Sequence, residues 1–382
     1  MNKVFKVIWN HATQTWTAVS ELGHAKGKTK SKKVAVMTLS AVAGAVIGTV
    51  SLTQDAMAVM DDSGSKINIS PKGQPGNTYL SPRGDKTDNT IAVGYQNQIG
   101  RGGDHQGNGV ITVGANNIVN GDAAIAIGNQ NNATGGTAFA IGAGSNATKN
   151  NTLAVGNRAT ASAERAVALG NTANATAEQA FAAGSRTEAS GYRAIAIGAG
   201  EGPVGNEFKT VVASGESSVA ISTQAKATGK NAVAVGSYSK AEGRNGTAVG
   251  TTSSASGERS SAFGILANAA GKHSTAVGQN AIASQENATA VGNDANASAQ
   301  FATAVGDRAQ AGASAVAVGT QAKATHQDSI AVGNNATGAW TNTIAVGKDT
   351  VASQDHALAM ATEAKASGVQ SIAIGSYSNA SA

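Results

Sequence analysis

Residues 165–178 read RAVALGNTANATAE, and close copies of that string run before and after it along most of the chain. Val167-Ala168-Leu169 has the alternation of a short strand and Ala173-Asn174-Ala175 that of a second, with Gly170 and polar residues in the turns. Two strands in 14 residues make one narrow coil of a solenoid. Aligned on apolar-Ala-apolar-Gly, the anchors fall at Gly94, Gly114, Gly128, Gly142, Gly156, Gly170, Gly184, Gly198, Ser222, Gly236, Gly250, Gly264, Gly278, Gly292, Gly306, Gly319, Gly333, Gly347, Ala361 and Gly375. All but three of the steps between these twenty anchors are 14 residues long.

The residue before the anchor is apolar in all twenty units, and the one before that is Ala in nineteen, Thr112 being the exception. Successive strand residues point to opposite faces, so both faces of this strand are built to be covered. Alanine on one face calls for a very close neighbour, and the sequence leaves open which of the two apolar faces joins copies of the chain. A coil this thin buries too little to offset its own ordering entropy, so it needs stacked coils and self-association. At ~4.8 Å per coil, twenty coils make a rod of roughly 95 Å. The composition agrees: 48 glycines and 4% aromatics suit a thin Ala, Val and Gly interior and exclude a thick globular core.

Charge is unevenly placed. Residues 1–58 hold seven Lys, no Arg, and Glu21 and Asp55 as the acids, which leaves 21 basic and 21 acidic residues from 59 onward. The formal +5 of the whole chain therefore belongs to its N-terminal segment, and no nucleic-acid partner is expected. That segment reads as an address. The uncharged stretch 34–50, VAVMTLSAVAGAVIGTV, follows Lys26, Lys28, Lys30, Lys32 and Lys33 and precedes Ala56-Met57-Ala58, the pattern of a signal peptide cleaved after Ala58. Residues 34–58 are thus the hydrophobic region with its cleavage site. Residues 1–33, with the MNK start, VIWN, TW and AVSEL, resemble the extended signal peptide region of large autotransporters. The absence of Cys fits passage through an oxidising compartment.

Pro71, Pro75 and Pro82 precede Thr90, and Pro203 lies in the overlong step from Gly198 to Ser222, as a continuous strand stack requires. Residues 59–89 read as a loop-rich segment, 90–382 as repeats, and 200–216 as an insertion. The motifs AIAIG, AVAVG, SVAIS and TAVG followed by A-x-A-x-G resemble the head repeats of trimeric autotransporter adhesins, typified by the Yersinia adhesin YadA. The resemblance implies an all-β, left-handed parallel β-roll solenoid in which three chains form one head. It also implies a non-enzymatic surface protein of a Gram-negative bacterium, displayed at the outer membrane and binding host extracellular matrix proteins or cell-surface receptors. The stalk and C-terminal membrane anchor of that family are not found in the sequence.

Several residues stand out as ligand contacts. Arg83-Gly84-Asp85 is an integrin-type tripeptide, though Gly beside charges is also ordinary turn chemistry. Phe208 and Lys209 sit on the insertion, where repeat proteins often bind or simply tolerate extra chain. Ser218-Val219-Ala220-Ile221 resembles a collagen-associated motif of the family, with Ser217 in place of Asn and Ser222 in place of Gly. Trp340 falls in a turn, as an exposed contact or as cover for a neighbour's apolar surface. Thr247, Ser261, Thr275, Thr289 and Thr303 make a hydroxyl ladder in five consecutive coils, either a structural stack or a stripe facing ice or matrix.

No catalytic, metal or cofactor site is expected. His105, His273, His326 and His356 lack ligand spacing, and the chain has no nucleophile elbow, phosphate loop or calcium-binding repeat. A structural surface spacer is one rival reading. A hexapeptide-repeat acyltransferase is another, but a 14-residue period is no multiple of six.

Overall fold

The computed structural model describes residues 5–10, 15–20, 56–60, 66–71, 73–80, 89–100, 109–204 and 207–381. The chain divides into two compact units, Met1–Gln54 and Asp55–Ala382. In the first, Phe5–Asn10 pairs antiparallel with Thr15–Ser20, Trp9 opposite Trp16. The basic cluster and the apolar stretch 34–50 lie outside the described residues. No described helix is long and apolar enough to cross a membrane.

The second unit is a parallel β-solenoid, with no helix among its described residues. Each regular coil adds a strand to two long sheets. In the coil first quoted, Val167–Leu169 lies in the first sheet and Asn174–Ala175 in the second. Register is strict: Ala168 stands between Ala154 and Ala182, and Ala175 between Ala161 and Ala189. The short step from Gly306 to Gly319 is absorbed in a turn, since Thr303 still pairs with Val316 and Gln310 with Lys323.

Alanine explains the thinness of the coil. Ala166, Ala168, Ala173 and Ala175 are all fully buried and meet inside one coil. Of the two apolar faces the sequence left open, the Ala-rich one is filled within the chain itself. The close neighbour alanine requires is the second strand of its own coil, and the face left partly open carries Val167 and Leu169.

All twenty anchors hold positive φ, from 95° at Ala361 to 144° at Gly156. Here the chain leaves the first sheet, and a Cβ at Gly278 would collide with the carbonyl oxygen of Gly292 in the next coil. Two further corners per coil are left-handed without glycine, as at Arg165 (φ 57°) and Thr172 (φ 52°). Their strain is offset by hydrogen bonds to the preceding coil, Arg165 N–H to Asn150 O at 3.0 Å and Thr172 N–H to Asn157 O at 2.8 Å.

The solenoid begins earlier than Thr90. Lys66–Pro71 pairs parallel with the strand from Thr90, and Thr78–Leu80 with Gln98–Gly100, so the segment 59–89 holds strands that a loop-rich reading missed. The cause is a polar substitution: Asn68 takes the register place of Ala92. Pro71 accordingly ends a strand rather than preceding the stack. Ala56–Met60, which carries the expected cleavage residues Ala56 and Ala58, pairs antiparallel with Lys66–Pro71. From here a polar ladder runs through the interior. Asn97, Asn117 and Asn131 each donate a side-chain N–H to the Asn before, at 2.8, 2.9 and 3.1 Å, and the ladder ends where Ser145 N–H donates to Asn131 Oδ1.

The anchor geometry generates a paired prediction, read by thermal or denaturant unfolding. Gly278→Ala destabilises by about 3 kcal/mol, the upper end for a residue forced into sparsely populated backbone, because carbonyl contact adds to the strain. Ser222→Gly, at φ 102°, is neutral or stabilising.

Candidate functional site

Because equivalent residues stack at every level, the surface consists of columns. The outer face of the first sheet has two, formed by the residues on either side of the buried Ala. Val167 and Leu169, Val233 and Val235, and Val316 and Val318 are all half-buried there. Ile197, Phe263, Ile344 and Met360 in the same columns are 36–40% exposed. The result is a long apolar stripe that one chain leaves partly open.

The second sheet presents a polar outer column. Asn174, Lys226, Lys240, Asn268, Asn296 and Lys323 alternate with the buried alanines beside them. The corners are polar too and are laced by bonds between residues 14 apart. Asn280 Nδ2 donates to Asp294 Oδ1 at 2.7 Å, Asn335 Nδ2 to Asp349 Oδ1 at 2.9 Å, and Lys230 Nζ meets Glu216 at 2.7 Å. Each is exposed and contributes little singly. No group of three or more His, Asp or Glu among the described residues is placed to hold a metal ion.

Among the described residues, the expected contacts do not converge on one site. Arg83, Gly84 and Asp85 lie outside the described residues. The insertion is shorter than 200–216: Glu201–Val204 and Glu207–Lys209 form an antiparallel hairpin carrying Phe208 and Lys209, and Val211–Ala213 already belongs to the second sheet. Ser218 and Ala220 are fully buried and offer no side chain to a ligand, which removes them as contacts. Val219 and Ile221 lie half-buried in the apolar stripe. The hydroxyl ladder from Thr247 to Thr303 stands in that same stripe, not on a polar outer face.

Trp340 is an expected contact that the structure places at the surface. It is 46% exposed on a corner, stacked on His326 with ring centroids 5.4 Å apart and planes 18° apart. Sequence reading missed this partner, although the two are 14 residues apart and so fall in one column. Also missed were Ile265 and Leu266, which with Phe263 carry the apolar stripe around an otherwise polar corner at 40–53% exposure. The signal was the aliphatic pair itself, in columns whose other members are mostly polar or charged.

Comparisons with known proteins find relatives for both parts of the sequence. A family model described as "Extended Signal Peptide of Type V secretion system" matches residues 1–49. One described as "YadA head domain repeat (2 copies)" matches residues 120–145, 147–173, 175–200, 213–309, 311–336, 341–360 and 362–382. The chain is similar to the autotransporter adhesin EhaG of Escherichia coli O157:H7, 32% identical over 106 residues, which cover 25% of this chain and 6% of that protein. It is also similar to the trimeric autotransporter adhesin AtaA of Acinetobacter sp. (strain Tol 5), 44% identical over 69 residues, covering 17% of this chain and 2% of that protein. The chain thus spans a small fraction of the length of both curated relatives. Among solved structures, the collagen-binding domain of the Yersinia adhesin YadA aligns at 26% identity and a TM-score of 0.17, over 42% of this chain and 67% of that one.

The His326–Trp340 stack is open to test, since Trp9 and Trp16 belong to the leader and Trp340 is the only Trp beyond it. In the chain freed of its leader, His326→Ala uncovers one face of Trp340. Collisional quenching of its fluorescence then rises while circular dichroism of the stack is unchanged.

Proposed function

The chain belongs to the family of trimeric autotransporter adhesins with YadA-type heads, and from that premise we propose that three copies pack through the apolar stripe into one adhesive head. An adhesin role, export and surface display follow from membership of this non-enzymatic family. The proposal adds the surface used and the targets reached, which are host extracellular matrix, cell-surface receptors or other surfaces. In this reading the head is displayed at the outer membrane.

The observation that carries the reading is the half-open stripe. A single chain buries its alanines completely yet leaves Val167, Leu169, Val235 and Val291 half-covered at levels spread along the stack. Burial is worth roughly 25 cal/mol per Å2 of apolar surface, so a stripe repeated over twenty levels is a strong drive to associate. Packing on that face leaves the polar second sheet and both corners outward, three times over. Weak contacts repeated around and along such a rod add through avidity.

Binding of the purified chain to immobilised collagen, laminin, fibronectin and cell monolayers tests this. The expected result is salt-tolerant binding to at least one surface, weakened about 100-fold or more when Val235→Glu and Val291→Glu together dissociate the head. No binding to any surface by the intact assembly supports a spacer or coat instead.

A further inference from the structure

The first of the two columns in the stripe is not uniform. It is apolar in ten successive coils, from Ile91 to Val233, then hydroxyl in five, then apolar in five, from Val316 to Ile372. Backbone pairing stacks Thr247, Ser261, Thr275, Thr289 and Thr303 directly on one another, with Val233 before and Val316 after. The second column stays apolar throughout this stretch, from Val249 to Val305, so the hydroxyls form one edge of a continuous apolar face.

Among the described residues, none of the five hydroxyls has a side-chain hydrogen-bond partner within the chain, and all five are half-buried. The contrast with neighbouring interior hydroxyls is direct. Ser260 and Ser274 are fully buried, and each donates to a carbonyl of its own turn, Gly257 O at 2.7 Å and Gly271 O at 2.6 Å. Thr112 and Ser218 are single buried hydroxyls without a partner, whereas the ladder sets five unpartnered hydroxyls in consecutive coils on the association face.

A purely apolar stripe with a 14-residue repeat has a register problem. One copy slid along another by one coil buries nearly the same surface, because Val meets Val at either setting. Rotational symmetry about an axis parallel to the stack sets like levels together, and with the first column placed nearest that axis hydroxyl meets hydroxyl, each able to donate and accept. After a slip of one coil, hydroxyls at the ends of the block face Val233 or Val316 and lose water without gaining a partner. The mismatch grows with each further coil. A polar residue in the seam of a coiled coil specifies register by the same physics.

We infer that the hydroxyl block at Thr247, Ser261, Thr275, Thr289 and Thr303 sets the register in which copies of this chain pack on one another. The inference rests on the association face proposed above and adds which level of one copy meets which level of the next.

The chain has no cysteine, so single labels report cleanly. A donor at Asn171→Cys in one preparation and an acceptor at Gln279→Cys in another, mixed and refolded as whole chains, give an inter-copy distance with a large axial component. That distance changes by up to about 4.8 Å per coil slipped. The native block gives one distance. Replacing all five hydroxyl residues with Val keeps the assembly but spreads the distance over several values at that spacing. Thr247→Val with Val316→Thr moves the block one coil, and mixing this variant with the native chain shifts the distance by one spacing. A single unchanged distance in both variants overturns the inference and leaves the association face standing. Native chains that show no energy transfer and sediment as monomers overturn the association face itself, and the register inference with it.

Discussion

Everything in this molecule follows from the requirement that each coil fit on the next with its backbone in register. Val167 N–H donates to Ala180 O and Phe181 N–H to Ala194 O, both at 2.9 Å, and the corners continue the ladder, as where Gln179 N–H donates to Glu164 O at 2.9 Å. A ladder so complete leaves no room for one coil to differ in shape from its neighbours. Hence the anchors, where a Cβ would strike the carbonyl of the next coil. Hence also an interior built mostly of alanine, with Ile99, Val119 and Val211 taking its place in only a few coils. Where the interior turns polar, it does so as a ladder, from Asn97 through Asn131, because a buried carboxamide in one coil is best satisfied by the same group in the next.

Strict stacking also turns sequence into surface. A residue type repeated every 14 positions becomes a column, and the columns divide the coil into an apolar stripe, a polar sheet and two corners. Such a division suits a surface adhesin. In the proposed head the stripe joins the copies, and the polar faces are free to drift, since a changed residue there disturbs only its own level. Catalysis asks for unlike groups converging on one point, whereas a stack of like coils offers like groups spread along a line.

Much of this is legible in the amino-acid order. The period, the anchors and the two strands can be read from 165–178 alone, because alternation and Gly placement are local consequences of the coil. Less legible is what depends on the third dimension. Alternation shows that Ala168 and Leu169 face opposite ways but not that the second strand of the same coil covers Ala168, so the two faces are easily exchanged. The first coil is hidden because Asn68 replaces Ala and lies near Pro71. Site reading fails in the same way. Ser218 and Ala220 look like motif residues but point inward, while the contact between His326 and Trp340 is invisible until the chain is wound at its period.

The central claim is that the Val- and Ile-rich face, and not the Ala-rich one, joins copies of the chain. Sedimentation equilibrium of the native chain beside Leu169→Glu and Val249→Glu variants tests it most directly. The account predicts a native trimer and folded monomers from the variants, with unchanged circular dichroism. A native chain that is a stable monomer, or variants that remain trimeric, would contradict it.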